Sequence, residues 1–334
     1  MAKKIKDTDY LSISARIRAM ETTLLTSAQM EQLLEARGDE EVFKILQECG
    51  YPELDATRPE AMDAALSAAR ETMLADLSTG APDHRYIDIF QLKYDYHNVK
   101  TLLKAAAVGV EADHMLMDMG RIGAAELKEA LESGQTESLP PMLAAAAEEA
   151  KEVLDTTRDP QLSDITLDRW YYREMGETAA ATGSAFLQGY VRAQIDAANL
   201  RAVVRTVRMG KSAEFLKSVL LQGGEISADA AAKVGVAGGS GLAELYGPTA
   251  LSAAAEAGAE ALRFGTLTRF EKLCDDAVGD YLAQAELVPF GEAPLVGYLA
   301  ARETEYTNLR ILLMGRGMGI APDVIRSRLR ETYV

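Results

Sequence analysis

Apolar residues along this chain recur at three- and four-residue spacing, and period-two runs of β-branched residues are almost absent. That spacing predicts helices. From about Asp9 to Leu34 the residues Leu11, Ala15, Ile17, Ala19, Leu24 and Leu25 mark one apolar face, flanked by Arg16 and Arg18, and predict a single opening helix. Gly38-Asp39 then turns the chain into a shorter helix through Val42, Ile45 and Leu46, which Gly50-Tyr51-Pro52 ends. Pro59 suits the first turn of the next helix, since a missing N–H costs nothing there. Thr79-Gly80-Ala81-Pro82 breaks that helix, and a long one is expected from about Tyr86 to Val108. The fold class read from this pattern is all-α.

A six-residue word sits on that long helix and returns twice, at intervals of roughly one hundred residues. The copies are Asp95-Tyr96-His97-Asn98-Val99-Lys100, Asp196-Ala197-Ala198-Asn199-Leu200-Arg201 and Glu305-Tyr306-Thr307-Asn308-Leu309-Arg310. Each places Asn three residues after an acid, then an aliphatic, then a base. Leu102-Leu103, Val203-Val204 and Leu312-Leu313 follow, and a ring precedes each copy: Phe90 and Tyr94, Tyr190, Tyr298. Gly-containing breaks at Met119-Gly120-Arg121-Ile122-Gly123 and Gln222-Gly223-Gly224-Glu225-Ile226-Ser227 each lead into an Ala-rich helix. Leu167-Asp168-Arg169-Trp170 and Leu267-Thr268-Arg269-Phe270 are matching pieces of leader helices, and the first unit lacks a clear equivalent. The reading is three homologous helical units in a pseudo-threefold object: 1–140 with an N-terminal extension, 141–245 and 246–334. Gly235 to Gly241 is expected to be a linker or hinge.

On a helical wheel the aliphatics after Asn centre about 95° from it, the acid falls at about 60°, and the base at about 200°. Acid and Asn therefore face partly buried territory, three residues apart on one side. A buried polar group without a partner costs about 1–3 kcal/mol, so each unit is expected to hold an equivalent internal hydrogen-bond set. The rival reading brings Asp95, Asp196 and Glu305 together on an axis as an oxygen-ligand metal site.

Composition narrows the function. The 334 residues are 48% hydrophobic and 26% charged, as in a globular chain. A net charge of −16 and no Lys/Arg block argue against nucleic acid as a partner. Cys49 and Cys274 alone do not make a disulfide framework, and the start Met1-Ala2-Lys3-Lys4 has no apolar core after its charges. No stretch reaches the roughly 20 apolar residues that span a bilayer. A reducing cytoplasm is the expected setting.

Catalytic patterns are not found. His84, His97 and His114 lack the i, i+4 spacing of a helical zinc site. Gly315-Arg316-Gly317-Met318-Gly319 follows a helix, the wrong side for cradling phosphate, and Gly238-Gly239-Ser240-Gly241 follows no strand. No Gly-x-Ser-x-Gly occurs, and paired acids such as Glu40-Glu41 and Glu148-Glu149 read as solvated helix faces. No catalytic residue, metal or cofactor is expected. Arg326, Arg328 and Arg330 are a candidate interface, weighed against a cation-rich helix C-terminus favoured by the dipole.

The segment Leu92 to Ala105, with its word, resembles the first repeat of the C subunit of V-type (archaeal/vacuolar-type) ATP synthases, the counterpart of the d subunit of the eukaryotic vacuolar ATPase. Tyr10 to Gly50, with Arg16-Ile17-Arg18-Ala19-Met20-Glu21, is similar to that family's beginning. Tyr298 to Gly315 and Ile325 to Val334 are similar to its end. The match is weaker over about 110–160 and 225–260, and copy three carries Glu where the others carry Asp. The resemblance implies a three-lobed helical funnel without catalytic residues. It implies a place on the cytoplasmic face of the membrane, between the central shaft subunits and the membrane rotor ring. The implied role is torque transfer for ATP-linked proton or sodium transport. A helical adaptor with unrelated partners, and a helical enzyme with a dispersed site, are the rival readings.

Overall fold

The computed structural model describes residues 5–51, 59–331 and 333; Met1 to Lys4, Pro52, Thr332 and Val334, which carry parts of the sequence reading, lie outside the described residues. Among the described residues there are helices, turns and loops, and no strand. The first four helices are α1 (Leu11–Glu21), α2 (Ser27–Glu35), α3 (Asp39–Glu48) and α4 (Pro59–Gly80). Next come α5 (Arg85–Val108), α6 (Ala124–Ser133), α7 (Pro141–Thr157) and α8 (Pro160–Thr182). The third group is α9 (Ala185–Arg208), α10 (Ala213–Val219), α11 (Ala228–Val236) and α12 (Leu242–Tyr246). The chain closes with α13 (Ser252–Arg263), α14 (Thr268–Ala283), α15 (Glu292–Gly317) and α16 (Pro322–Arg326).

The long helices α5, α9 and α15 end alike. Each is followed, eleven residues after its Asn, by a glycine in the left-handed region: Gly109, Gly210 and Gly319, at φ of 72°, 62° and 68°. The next residue sends its N–H back to close the last turn, Val110 to Ala105 O (3.1 Å), Lys211 to Thr206 O (3.1 Å) and Ile320 to Gly315 O (2.9 Å). Only glycine takes that backbone without a Cβ penalty, so these glycines stop the helices. The residue before each glycine is apolar and exposed: Val108, Met209 and Met318, at 72%, 55% and 68%.

The opening helix expected over Asp9 to Leu34 is broken. After α1 the chain leaves helical geometry, and Thr26 opens α2 in extended conformation. The Thr26 hydroxyl accepts the Gln29 N–H at 3.2 Å while Gln29 Oε1 accepts the Thr26 N–H at 2.9 Å. That reciprocal cap competes with helix continuation and wins. Leu24 and Leu25, inside the break, are buried.

Helix packing follows one plan. α8 lies on α5, α14 on α9, and α4 on α15. Behind each long helix lies a short one: α6 on α5, α11 on α9, α2 on α15. Helix α4, an Ala-rich stretch, thus occupies beside α15 the place that α8 and α14 take beside theirs. Within the Gly235 to Gly241 stretch two glycines are buried and closely packed, and the other residues are exposed: a Cβ on Gly239 would stand 2.2 Å from Leu262 Cδ1, and one on Gly235 2.2 Å from Leu216 Cδ2. Those glycines allow the close approach of backbone to side chain.

Candidate functional site

The three asparagines, fully buried, do the same thing. Asn98 Nδ2 donates to Met117 O at 2.8 Å and Asn98 Oδ1 accepts the Met117 N–H at 2.9 Å. Asn199 pairs likewise with Leu221, at 2.9 and 2.8 Å. Asn308 pairs with Arg330, at 3.0 and 2.9 Å. A carboxamide carries one donor and one acceptor edge, so it can satisfy both halves of a residue that no helix pairs. The side chain ties the returning loop to the long helix.

The acids serve the next residues of those loops. Asp196 accepts the N–H of Glu225 at 2.9 Å and of Ile226 at 3.0 Å, just before α11. Asp95 accepts the Ile122 N–H at 3.4 Å and Arg121 Nε at 2.7 Å, just before α6. Arg121 also reaches Glu174 of α8 at 2.6 Å, and Glu174 accepts the Tyr96 hydroxyl at 2.8 Å. Glu305 accepts the Leu25 N–H at 2.5 Å, just before α2, together with the Tyr51 hydroxyl and Arg302. Burial pushes the Asp95 carboxyl up despite Arg121, and burial pushes Asp196 up despite the two backbone N–H groups. Each acid is engaged by its own loop, and among the described residues no group of three or more His, Cys, Asp or Glu could hold a metal ion.

The choice of acid matches the residue two before the N–H donor. A Cβ on Gly120 would stand 2.1 Å from Asp95 Oδ1, and one on Gly224 2.2 Å from Asp196 Oδ1. A short acid thus requires glycine. Opposite Glu305, whose chain is one methylene longer, the same position is Thr23, and its hydroxyl accepts from Arg302 at 2.6 Å.

The bases tie each long helix to the leader lying on it. Lys100 meets Asp168 of α8 at 2.5 Å. Arg201 meets Glu271 of α14 at 2.9 Å and also Asp275. Arg310 meets Asp63 of α4 at 2.7 Å. The leader match read from sequence is therefore shifted, because Glu271, and not Thr268, takes the place of Asp168. The missing first leader is α4.

The long helices meet through positions the word does not include. Five residues before the asparagines stand Lys93, Gln194 and Glu303. Glu303 takes Lys93 Nζ at 2.6 Å and Arg70 Nε at 2.8 Å, with the Tyr94 hydroxyl at 3.2 Å. Burial would raise the Glu303 carboxyl, but Lys93 and Arg70 outweigh it and hold the group below its ordinary range. Phe90 of α5 stacks on Tyr190 of α9, centroids 5.7 Å apart. A cleft of about 410 Å³ opens there, lined by Lys93, Tyr190, Gln194 and Glu303 among others. Sequence reasoning missed this cluster; a polar residue five before every Asn was the available signal.

The three arginines near the end are engaged unequally. Arg326 pairs with Glu31 of α2, Nε to Oε2 at 3.1 Å. Arg330 pairs with Asp275 at 2.7 Å. The Arg328 side chain is exposed beside them, on a cleft shared with Met318.

Among the described residues, no helix is long and apolar enough to cross a membrane. The family model for the ATP synthase (C/AC39) subunit matches residues 13–328. The chain is similar to the C subunit of the V-type sodium ATPase of Enterococcus hirae, 25% identical over 97% of this chain and 99% of that one. It is similar to the C subunit of the A-type ATP synthase of Methanocaldococcus jannaschii, 28% identical over 96% of this chain and 86% of that one. The A-type protein of the same name from Halobacterium salinarum is 26% identical, over 96% and 97% of the two chains. That family is a structural stalk component of rotary ATP synthases, not a catalytic one. With its all-helical fold and a match over nearly its whole length, the chain belongs to the ATP synthase (C/AC39) subunit family.

Proposed function

We propose that this chain couples the central shaft of a rotary V/A-type ATP synthase or ATPase to its membrane rotor ring, on the cytoplasmic face. It does so as three helical units arranged around a pseudo-threefold axis, in the shape of a funnel. The recurrence of one contact set supports that arrangement. Acid, Asn and base find equivalent partners at every copy, and the third base and acid find theirs on α4 and before α2. The units so form a circle, in which helices 27–80 belong to the third unit more than to the first.

The contacts between the long helices support the funnel. These helices meet at positions five to nine before the asparagines and end nine or ten after them. Helices that touch at one end and diverge at the other enclose a cone. At 1.5 Å per residue the diverging arms run about 20 Å beyond the contact. The exposed tips Val108, Met209 and Met318 mark the wide rim, which faces the ring. The central concavity takes the end of the shaft, as a groove takes a helix. Torque transfer requires stiffness, and the paired loops and leader ion pairs supply it.

The observation that carries this reading is the triple Asn pairing, joined to the Arg310–Asp63 closure. Its test is a pull-down of the shaft subunits and the detergent-solubilised ring with the tagged chain. The chain is expected to retain both together; retention of neither removes the coupling role.

A further inference from the structure

We propose that the third unit is held shut by a non-covalent clasp, and that releasing it opens the circle of units without unfolding the other two. In the first two units one continuous segment serves both Asn and acid. Met117 pairs with Asn98 and Ile122 with Asp95; Leu221 pairs with Asn199 and Ile226 with Asp196. In the third unit two distant segments divide that task. Arg330 pairs with Asn308, but the N–H on the acid comes from Leu25, 280 residues before Glu305. At this one place the backbone does not cross from loop to short helix.

Side chains of α15 and α16 bridge the gap. Arg302 donates to Thr23 Oγ1 at 2.6 Å. Arg316 donates to the carbonyls of Leu34 (3.0 Å) and Ala36 (2.8 Å) at the end of α2. Arg326 grips Glu31, and Arg310 grips Asp63. Leu25, Leu33 and Leu34 add buried apolar contact. The Arg310–Asp63 and Arg326–Glu31 pairs are exposed, with side chains 40% accessible or more, so salt screens them. A seam held in part by solvated pairs, between segments far apart in the chain, opens at a lower free energy than its counterparts. An open circle admits an elongated partner from the side, with no need to thread its end. This inference uses the three-unit arrangement and does not depend on the coupling role.

The experiment is amide hydrogen exchange on the full chain, comparing α2 with α11, its counterpart in the second unit. The clasp predicts that α2 exchanges about tenfold faster than α11 at low salt. Raising salt to about 1 M speeds α2 further and leaves α11 unchanged. Arg326→Ala reproduces the salt effect at low salt. Equal exchange in α2 and α11, or a salt response shared by both, overturns the clasp. The three-unit arrangement stands apart from that result, since substitutions at the three asparagines test it.

Discussion

Glu305 accepts the backbone N–H of Leu25 across 280 residues of sequence, and by that bond the segment before α2 completes the contact set of the third long helix. Burial, then the Glu305 carboxylate beside it, keeps the Tyr51 phenol protonated well beyond the ordinary tyrosine range. Tyr51 therefore stands as a donor to Glu305. The same helix turn carries Asn308, so two consecutive loop contacts from opposite ends of the chain share one platform.

Removing any of the three amides leaves a buried backbone N–H and C=O unpaired. Asn98→Ala, Asn199→Ala and Asn308→Ala should each lower stability by about 2–3 kcal/mol in denaturant unfolding. Comparable losses at all three positions are the expected outcome. A negligible loss at any one would show that its pairing is not equivalent to the others.

Glycine opposite the short acids is a steric requirement. Gly224→Ala should cost about 2 kcal/mol or more, because its Cβ would stand 2.2 Å from Asp196 Oδ1. Gly176→Ala is the control: it sits inside α8 with nothing within 4 Å of the added carbon. That change should stabilise by about 0.5–1 kcal/mol through helix propensity. Thermal unfolding of the two variants measures the contrast.

Glu303 predicts a pH signature. Its folded-state carboxyl lies below the ordinary value of 4.5, so its contribution is present above that pH and is lost as pH falls through the folded value. Asp95 and Asp196, raised by burial, act in the opposite sense: protonation relieves their penalty as pH falls. Glu303→Gln should cost about 2 kcal/mol at neutral pH, leaving Lys93 and Arg70 without their shared counter-charge. The gap between wild type and variant should shrink below about pH 4.5. A gap that stays constant through acid would contradict the assignment.

The helices and the repeated word were legible because they rest on local chemistry. Apolar spacing marks α5, α9 and α15, and the Asn-aliphatic-base run falls at one register in each. The break at Thr22 to Thr26 was half legible: Thr26 and Gln29 carry the spacing of a reciprocal cap, but Glu305, which holds the Leu25 N–H, lies 280 residues away. Helix α4 carries no word and is mostly small residues, so nothing local tied it to Arg310. The Lys93–Glu303–Arg70 cluster joins three helices, and a pairing between distant segments leaves no periodic trace. The acids looked like possible ligands because sequence gives their spacing and not the loops that occupy them.

The terminal arginines separate fold from interface. Arg326 and Arg330 are tied to Glu31 and Asp275, so their removal is expected to weaken the fold itself. Arg328→Ala should leave unfolding unchanged, because an exposed charge contributes little. If this surface is an interface, the same variant should weaken retention of the partner subunits several-fold. Unaltered retention would remove Arg328 from the interface.

The coupling role is tested most directly by measuring ATP hydrolysis and ion uptake together in liposomes holding the rotary complex, with and without this chain. Hydrolysis should continue without it while ion uptake is lost, and adding the chain should restore uptake. Ion uptake per ATP that is the same in both preparations would contradict the coupling role.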